Sequence, residues 1–227
     1  ITTTTTGASP NLTITQTGNT TFSGIIEDGA GTVSFTKDGT GTLTLSGVNS
    51  TYTGVTTIMG GGTLVVSKIS NSGTAGSIGS GSSIVLDGGT LKFTGAQDST
   101  NRSITKTSNE GIIDGSGSGG LIINGNITPN AGITATLTLT GTNADNAIGG
   151  IIYNPTSSGS LSIIKSGSGT WALSGVNTYT GATTINAGTI KVSANNNLGT
   201  GNLIFNGGTL NTTDSFSLTG RSRVYLD

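Results

Sequence analysis

The sequence predicts an all-β chain wound into a right-handed parallel β-helix, which is a β-solenoid. Three observations support this prediction: short runs in which polar and aliphatic residues alternate, a Gly-Thr or Gly-Ser pair before most of these runs, and a long internal repeat. The 227 residues include 40 Gly and only 8% charged residues, so the composition differs strongly from that of an ordinary globular domain.

The alternating runs are the predicted strands. Polar and aliphatic residues exchange at every second position, which places one set of side chains on each face of a strand. A chain rich in Gly and Ser can also be an unfolded linker, but a linker would not alternate in this way. The predicted strands are TVSF at 32–35, TLTL at 42–45, TLVV at 63–66, TLKF at 90–93, TLTLTG at 136–141, SLSII at 160–164, TIKV at 189–192 and NLIF at 202–205.

A glycine followed by Thr or Ser marks the start of most of these strands, as in GTL at 41–43 and GTI at 188–190. Glycine adopts turn conformations that strain other residues, and the β-branched Thr after it favours extended backbone. The sequence therefore predicts many short strands joined by tight turns, as in a sandwich, a barrel or a solenoid.

The internal repeat favours the solenoid. KDGTGTLTLSGVNSTYTGVTTI begins at Lys37 and KSGSGTWALSGVNTYTGATTI begins at Lys165, with 16 of 21 aligned positions identical after one gap at Ser50. The offset between the copies is shorter at the later GGTL strands, where 86–93 pairs with 205–212. A solenoid tolerates such drift, because each coil touches only its neighbours. We predict a single domain over 1–227, with an extended segment at about 1–21 and repeat copies at about 22–125 and 148–227.

The spacing of strand starts indicates coils of about 20 residues. Nine to eleven coils at ~4.8 Å each would give a rod roughly 45 to 55 Å long. The aliphatic residues of the strands are expected to stack inward as ladders that fill a narrow core. The predicted inward residues are Leu43, Leu45, Leu64, Val66, Leu91, Phe93, Leu173, Ile190 and Val192.

Composition excludes many functions. Without His or Cys, the chain lacks the usual zinc ligands, Ser-His and Cys-His pairs, and disulfides. Nine Lys and Arg against ten Asp and Glu do not form the basic stripe that nucleic acids require. No apolar run approaches the roughly 20 residues of a membrane span, so we expect no membrane insertion by this segment. The start ITTTTTGASP has neither an initiator Met nor a signal sequence, and we expect a processed product or a fragment.

The repeat resembles a known family. GTLTLSGVNSTYTGVTTI, its second copy GTWALSGVNTYTGATTI and the K-x-G-x-G motifs at Lys37 and Lys165 are similar to the passenger-associated repeat of bacterial autotransporters. The resemblance implies a β-helical passenger domain, exported through a C-terminal translocator barrel to the extracellular or outer-membrane surface of a Gram-negative bacterium. In that family the repeats support secretion and folding of the passenger. The closing RSRVYLD is not a translocator strand, so the resemblance concerns the passenger only.

The acidic residues are the first candidates for chemistry. Glu27 and Asp28 form the only adjacent acidic pair, and their flanks GIIEDGAG fit a solvated turn as well as a catalytic acid pair. Asp28, Asp38, Asp87 and Asp114 each precede a glycine, as in calcium loops. Their irregular spacing along the chain differs from the short, regular period of calcium rolls and favours ordinary turns.

The aromatic and amide residues of the repeat are the next candidates. Tyr52 and Tyr179 could stack on sugar rings, but their matched places in the two copies favour packing at a corner. Asn49 and Asn177 are predicted to form an internal amide ladder that caps turn backbone. Trp171 replaces Leu43 in the repeat and is predicted to fill or flank the core.

Thr and Gly patterns suggest two further sites. The run Thr2–Thr6 and triplets such as Thr42-Leu43-Thr44 and Thr136–Thr140 suggest ice binding, but an ice face needs the same triplet on every coil, and the variable spacing disfavours it. GSGSGG at 115–120 lacks the Lys and the helix of a phosphate loop.

Three functions remain open from the sequence. The first is a non-catalytic extracellular passenger acting as a surface adhesin or rigid stalk, with a host surface or glycan as its partner. The second is a self-assembling structural protein of a filament, surface layer or biofilm matrix, joined to copies of itself through the solenoid ends. The third is a polysaccharide-processing β-helix enzyme. We predict no catalytic, cofactor-binding or metal-binding residues and no cofactor.

Overall fold

The computed structural model describes residues 9–220 and 224–226, so the run Thr2–Thr6 lies outside the described residues. The described chain forms short strands and one 3-10 helix, Asn195–Leu198. The strands are β1 (Asn11–Thr15), β2 (Thr20–Phe22), β3 (Ser34–Asp38), β4 (Thr42–Leu45), β5 (Thr56–Met59), β6 (Thr63–Val66), β7 (Ser83–Asp87), β8 (Thr90–Phe93), β9 (Asp98–Thr100), β10 (Ser103–Lys106), β11 (Gly111–Gly115), β12 (Leu121–Ile123), β13 (Ile127–Pro129), β14 (Ala135–Thr140), β15 (Asn146–Ile148), β16 (Leu161–Lys165), β17 (Thr170–Leu173), β18 (Thr183–Ile185), β19 (Thr189–Val192), β20 (Leu203–Phe205), β21 (Thr209–Thr212) and β22 (Val224–Leu226).

Three parallel sheets form the walls of the solenoid. The first sheet has the order β1-β3-β5-β7-β10-β13, the second β2-β4-β6-β8-β11-β14-β16-β18-β20-β22, and the third β21-β19-β17-β15-β12-β9. The chain alternates between the first and second sheets from β1 to β8, passes through all three from β7 to β15, and alternates between the second and third from β16 to β22. Each strand pairs in parallel with a strand one coil away, which confirms the predicted β-solenoid. The right hand predicted for it is the sense that parallel crossover connections take in nearly all folds.

Coil length varies while the register of the strands is kept. Lys165 pairs with Ile185 across a short coil, whereas Thr56 pairs with Ile84 across a distinctly longer one. The ten strands of the second sheet are separated by nine steps, so at ~4.8 Å per step the described stack is about 43 Å long. It is slightly shorter than the predicted rod because most coils contain more residues than the sequence spacing indicated.

The core consists of inward aliphatic ladders, as predicted. Leu43, Leu64 and Leu91 are register partners on successive strands of the second sheet. All nine residues predicted to face inward are buried, with at most 2% of any of them exposed. Full burial of each such side chain contributes roughly 1.5–3 kcal/mol.

The two repeat copies lie on different sides of the solenoid. Lys37 lies in β3 of the first sheet, whereas its repeat partner Lys165 lies in β16 of the second sheet. The strands that follow, β4 and β17, lie in the second and third sheets. The second copy is therefore shifted by one sheet around the solenoid relative to the first.

Candidate functional site

The lysine of each K-x-G-x-G motif is buried and binds the backbone of its own turn. Lys37 Nζ donates to the carbonyl oxygens of Asp38 at 2.7 Å and Gly39 at 2.8 Å. Lys165 Nζ donates to Ser166 O at 2.6 Å, to Gly167 O at 2.7 Å, and to Ala187 O of the next coil at 3.1 Å. Both side chains are fully buried, so the motif builds an interior corner of the coil.

Glycines of the same motif and of the next coil leave room for the ammonium group. Gly167 has a φ of +69°, a conformation that strains other residues. A Cβ placed on Gly62 would lie 2.5 Å from Lys37 Nζ, and one on Gly188 would lie 2.6 Å from Lys165 Nζ. The lysine and the glycine one coil later therefore form one packing unit in both copies.

Two further buried cations were missed by the sequence reasoning. Lys106 Nζ donates to Leu86 O at 3.3 Å and Asn109 O at 2.5 Å. Arg102 Nη2 donates to Gly79 O at 2.8 Å, and its guanidinium also reaches three other carbonyl oxygens. The alternation along β10 could have revealed Lys106, because it lies two positions after the inward Ile104.

Burial lowers the pKa values of the buried lysines. Desolvation lowers the pKa of Lys165 to about 8. It also lowers the pKa of Lys106 to about 8, although Asp87 and Glu110 oppose the change. The pKa of Lys37 is lowered by burial and raised in part by Asp38. Their amines bind backbone carbonyls, so in this arrangement they stabilise turns.

The two repeat tyrosines are corner packing residues, as the sequence favoured. Both are fully buried. Tyr52 Oη lies 2.8 Å from Thr56 Oγ1, and Tyr179 Oη lies 2.7 Å from Thr183 Oγ1. The alternative of sugar stacking is wrong for both tyrosines, because neither ring is accessible. Trp171 is likewise buried, and its Nε1 donates to Thr140 O at 2.9 Å.

The predicted internal amide ladder of Asn49 and Asn177 is wrong for Asn49. Asn177 is buried, and its Oδ1 accepts from Ile152 N at 2.8 Å. Asn49 is exposed, and Ser50 takes the equivalent place by accepting from Ile26 N at 3.1 Å. The gap in the repeat therefore belongs at Asn49, and a serine hydroxyl replaces the amide.

The acidic residues bind turns and loops. Asp28 Oδ1 accepts from Val33 N at 2.7 Å and Oδ2 from Thr53 N at 3.1 Å, while the neighbouring Glu27 is half-buried. Asp38 Oδ1 accepts from the amide of Gly39 at 2.7 Å.

The other two Asp-Gly acids bind side chains. Asp87 Oδ1 accepts from Thr107 Oγ1 at 2.5 Å and Asn109 Nδ2 at 2.6 Å. Asp114 forms an ion pair with Lys92 at 3.1 Å. Across the described ranges, no three acidic side chains come together in a group that could hold a metal ion.

The outward faces carry Thr columns whose register survives the variable coil length. The central column of the first sheet contains five Thr and one Val, and β-branched residues also dominate a column of the second sheet. Irregular coil length therefore does not explain the gaps in the regular Thr face that ice binding would need. The interruptions are substitutions, such as Val85 within the column and Asp38 and Met59 beside it. The first column is Thr13, Thr36, Thr57, Val85, Thr105 and Thr128.

GSGSGG at 115–120 is a turn that packs on the preceding coil. A Cβ on Gly117 would lie 2.4 Å from Gly95 O, and one on Gly119 would lie 2.1 Å from Gln97 N.

Among the described residues, no helix has the length and hydropathy that crossing a membrane requires.

Comparison with known proteins agrees with this geometry. The model of the passenger-associated-transport repeat matches residues 35–66 and 163–192, the two segments that contain the buried lysine and tyrosine corners. The chain is 36% identical over 184 residues, 79% of its length, to the autotransporter adhesin BmaC of Brucella suis biovar 1 (strain 1330). It spans only 5% of that relative's length. No solved structure matches the chain.

Fold, repeat corners and sequence similarity agree with one another. The chain is a β-solenoid with two segments that match the passenger-associated-transport repeat, and it is similar in sequence to part of an autotransporter adhesin.

Proposed function

We propose that this chain is a non-catalytic part of an autotransporter passenger displayed at the surface of a Gram-negative bacterium, and that it contributes to adhesion. The observation that carries the proposal is the 36% identity to an adhesin over 79% of the chain. The repeat supports the passenger assignment, because its most similar residues form buried corners that build the rod. Recognition of a host surface or glycan then falls to the exposed loops and faces.

The other functions left open by the sequence predict different behaviour. A stalk would hold other segments away from the cell and bind nothing itself. A self-assembling protein would add copies of itself at the ends of the rod. A polysaccharide-processing enzyme would release new reducing or unsaturated sugar ends.

One set of measurements on the purified chain separates these functions. We expect saturable binding of the fluorescently labelled chain to cultured animal epithelial cells by flow cytometry, with heat-unfolded chain as the control. Sedimentation velocity should show a monomeric rod at all concentrations, and incubation with polysaccharides should release no new sugar ends. A folded monomeric chain that binds no cell would refute adhesion and leave the stalk.

A further inference from the structure

The segment 67–82, here called the long loop, makes the longest excursion from the coil. It lies in the coil that runs from Thr56 to its register partner Ile84. The equivalent coil of the second repeat copy, from Thr183 to Leu203, is clearly shorter. The solenoid therefore closes this corner without the additional residues of the long loop.

Three side chains from the next coil hold the long loop in one conformation. Asp98 Oδ2 accepts from Ile69 N at 2.9 Å and from Ser70 N at 3.2 Å. Asn101 Oδ1 accepts from Ser72 N at 2.8 Å. The buried Arg102 donates to carbonyl oxygens on both arms of the loop, including Gly79 O at 2.8 Å and Ser70 O at 3.4 Å.

The conformation of the long loop depends on a buried guanidinium and on one residue with an uncommon backbone conformation. Arg102 is 1% exposed, and its hydrogen bonds go to neutral carbonyls. Ser70 has a φ of +54°, which is uncommon for a residue with a side chain. The second repeat copy closes its coil without such a loop, and binding sites are concentrated on loops that a scaffold positions, so the long loop is a candidate binding element.

A shallow, open groove of about 390 Å³ is lined by the start of the long loop, by the next coil and by Val48 of the preceding coil. The groove is more open than a pocket that encloses a small molecule, so it suits part of an extended ligand. The groove offers polar groups of both kinds beside small apolar surfaces. Its lining residues are Val48, Ser67, Lys68, Ala96, Gln97 and Asp98.

We propose that this groove binds one or two residues of a neutral saccharide. The ammonium of Lys68, the hydroxyl of Ser67 and the amide of Gln97 provide donors and acceptors for sugar hydroxyls. The methyl groups of Val48 and Ala96 provide apolar contact for the C–H face of a sugar ring. The lining contains one cation and one carboxylate, which favours a neutral ligand over a charged one. This inference rests on the adhesive function proposed above and names its site.

The test compares a groove variant with a matched control. Lys68→Ala with Gln97→Ala removes an amine and an amide from the groove. Lys191→Ala with Asn211→Ala removes the same groups from exposed register partners further along the third sheet. Each protein is applied to an array of neutral, sialylated and sulfated oligosaccharides, the strongest neutral oligosaccharide is titrated by calorimetry, and melting temperatures verify folding. We expect the groove variant to bind at least tenfold more weakly than wild type and the control to bind within twofold.

The outcomes separate this inference from the adhesive function. Wild-type binding to cells without binding to any neutral oligosaccharide would overturn the saccharide site and leave adhesion intact. Equal binding by the groove variant would overturn the location of the site. Binding of sialylated or sulfated glycans alone would overturn the neutral ligand. A wild-type chain that binds neither cells nor glycans would overturn both proposals.

Discussion

Lys165 explains why a solenoid of mostly neutral residues contains buried amines. Its ammonium connects Ser166 O and Gly167 O of its own turn with Ala187 O of the next coil. Backbone carbonyls left unpaired at such a corner would each cost about 1–3 kcal/mol. One flexible side chain with three donors satisfies all of them.

The lowered lysine pKa values predict stability that rises with pH. The pKa values of Lys106 and Lys165 are about 8 in the folded chain, against the ordinary 10.5. Between these values the unfolded chain binds more protons, so the free energy of unfolding increases with pH. We expect a rise of about 1 kcal/mol per lysine between pH 8 and 10, measured by urea unfolding. Burial raises the pKa of Tyr52 above its usual 10, so the rise should end near pH 10.

A pair of variants assigns the effect to the buried amine. Lys165→Met keeps the aliphatic stem and should reduce the rise, while lowering stability at pH 7 by about 1–3 kcal/mol. Lys191→Met, at an exposed position, should leave the pH profile unchanged. An unchanged rise in Lys165→Met would show that other groups cause it.

The contact between Gly111 and Lys106 allows the lysine–glycine packing to be tested within a strand. Gly111 begins β11, and a Cβ there would lie 2.3 Å from Lys106 Nζ. We expect Gly111→Ala to reduce the free energy of unfolding by about 1–3 kcal/mol, because the buried lysine must move.

A double-mutant cycle supplies the control for this prediction. Lys106→Ala removes the clashing atoms, so adding Gly111→Ala to it should cost less than Gly111→Ala does alone. Additive effects in urea unfolding would mean that the two residues do not pack as a unit.

The strands whose bounds were predicted correctly all begin directly after a glycine. β4, β6, β8 and β19 coincide with the predicted runs, because each follows a glycine and alternates cleanly. Strands such as β10 and β13 were not predicted, since SITK and ITP are short and lack the Gly-Thr start. Neighbouring coils supply the hydrogen bonds that hold such segments extended, and this context is not local in sequence.

For a similar reason, the sequence placed some of the candidate residues correctly and missed or misplaced others. The inward position of Trp171 and the packing of Tyr179 followed from alternation and repeat register. The buried Arg102 did not, because its partners lie in the long loop of the preceding coil, far away in sequence. Ser50, and not Asn49, takes the place equivalent to Asn177. This depends on the backbone path of one corner, which a sequence alignment of the two copies does not specify.

At the scale of the whole molecule, stacking predicts tolerance to removal of a complete coil. Ile163 and Thr183 are register partners, so deletion of residues 163–182 joins equivalent points of successive coils. We expect this variant to keep the circular dichroism of a β protein and to melt cooperatively, because the remaining coils can restack.

Deletion of residues 173–182 is the matched control. It removes half a coil and places every later strand on the wrong sheet. This variant should lose cooperative melting. Equal stability of the two deletions would contradict a stack in which coil phase determines the pairing.

The rotation between the two repeat copies also limits how the rod can meet a partner. Elements attached to the first copy and to the second point in directions one sheet apart around the axis. A flat membrane or matrix surface can touch only one of these azimuths at a time, so the two copies cannot supply bivalent avidity to one such target.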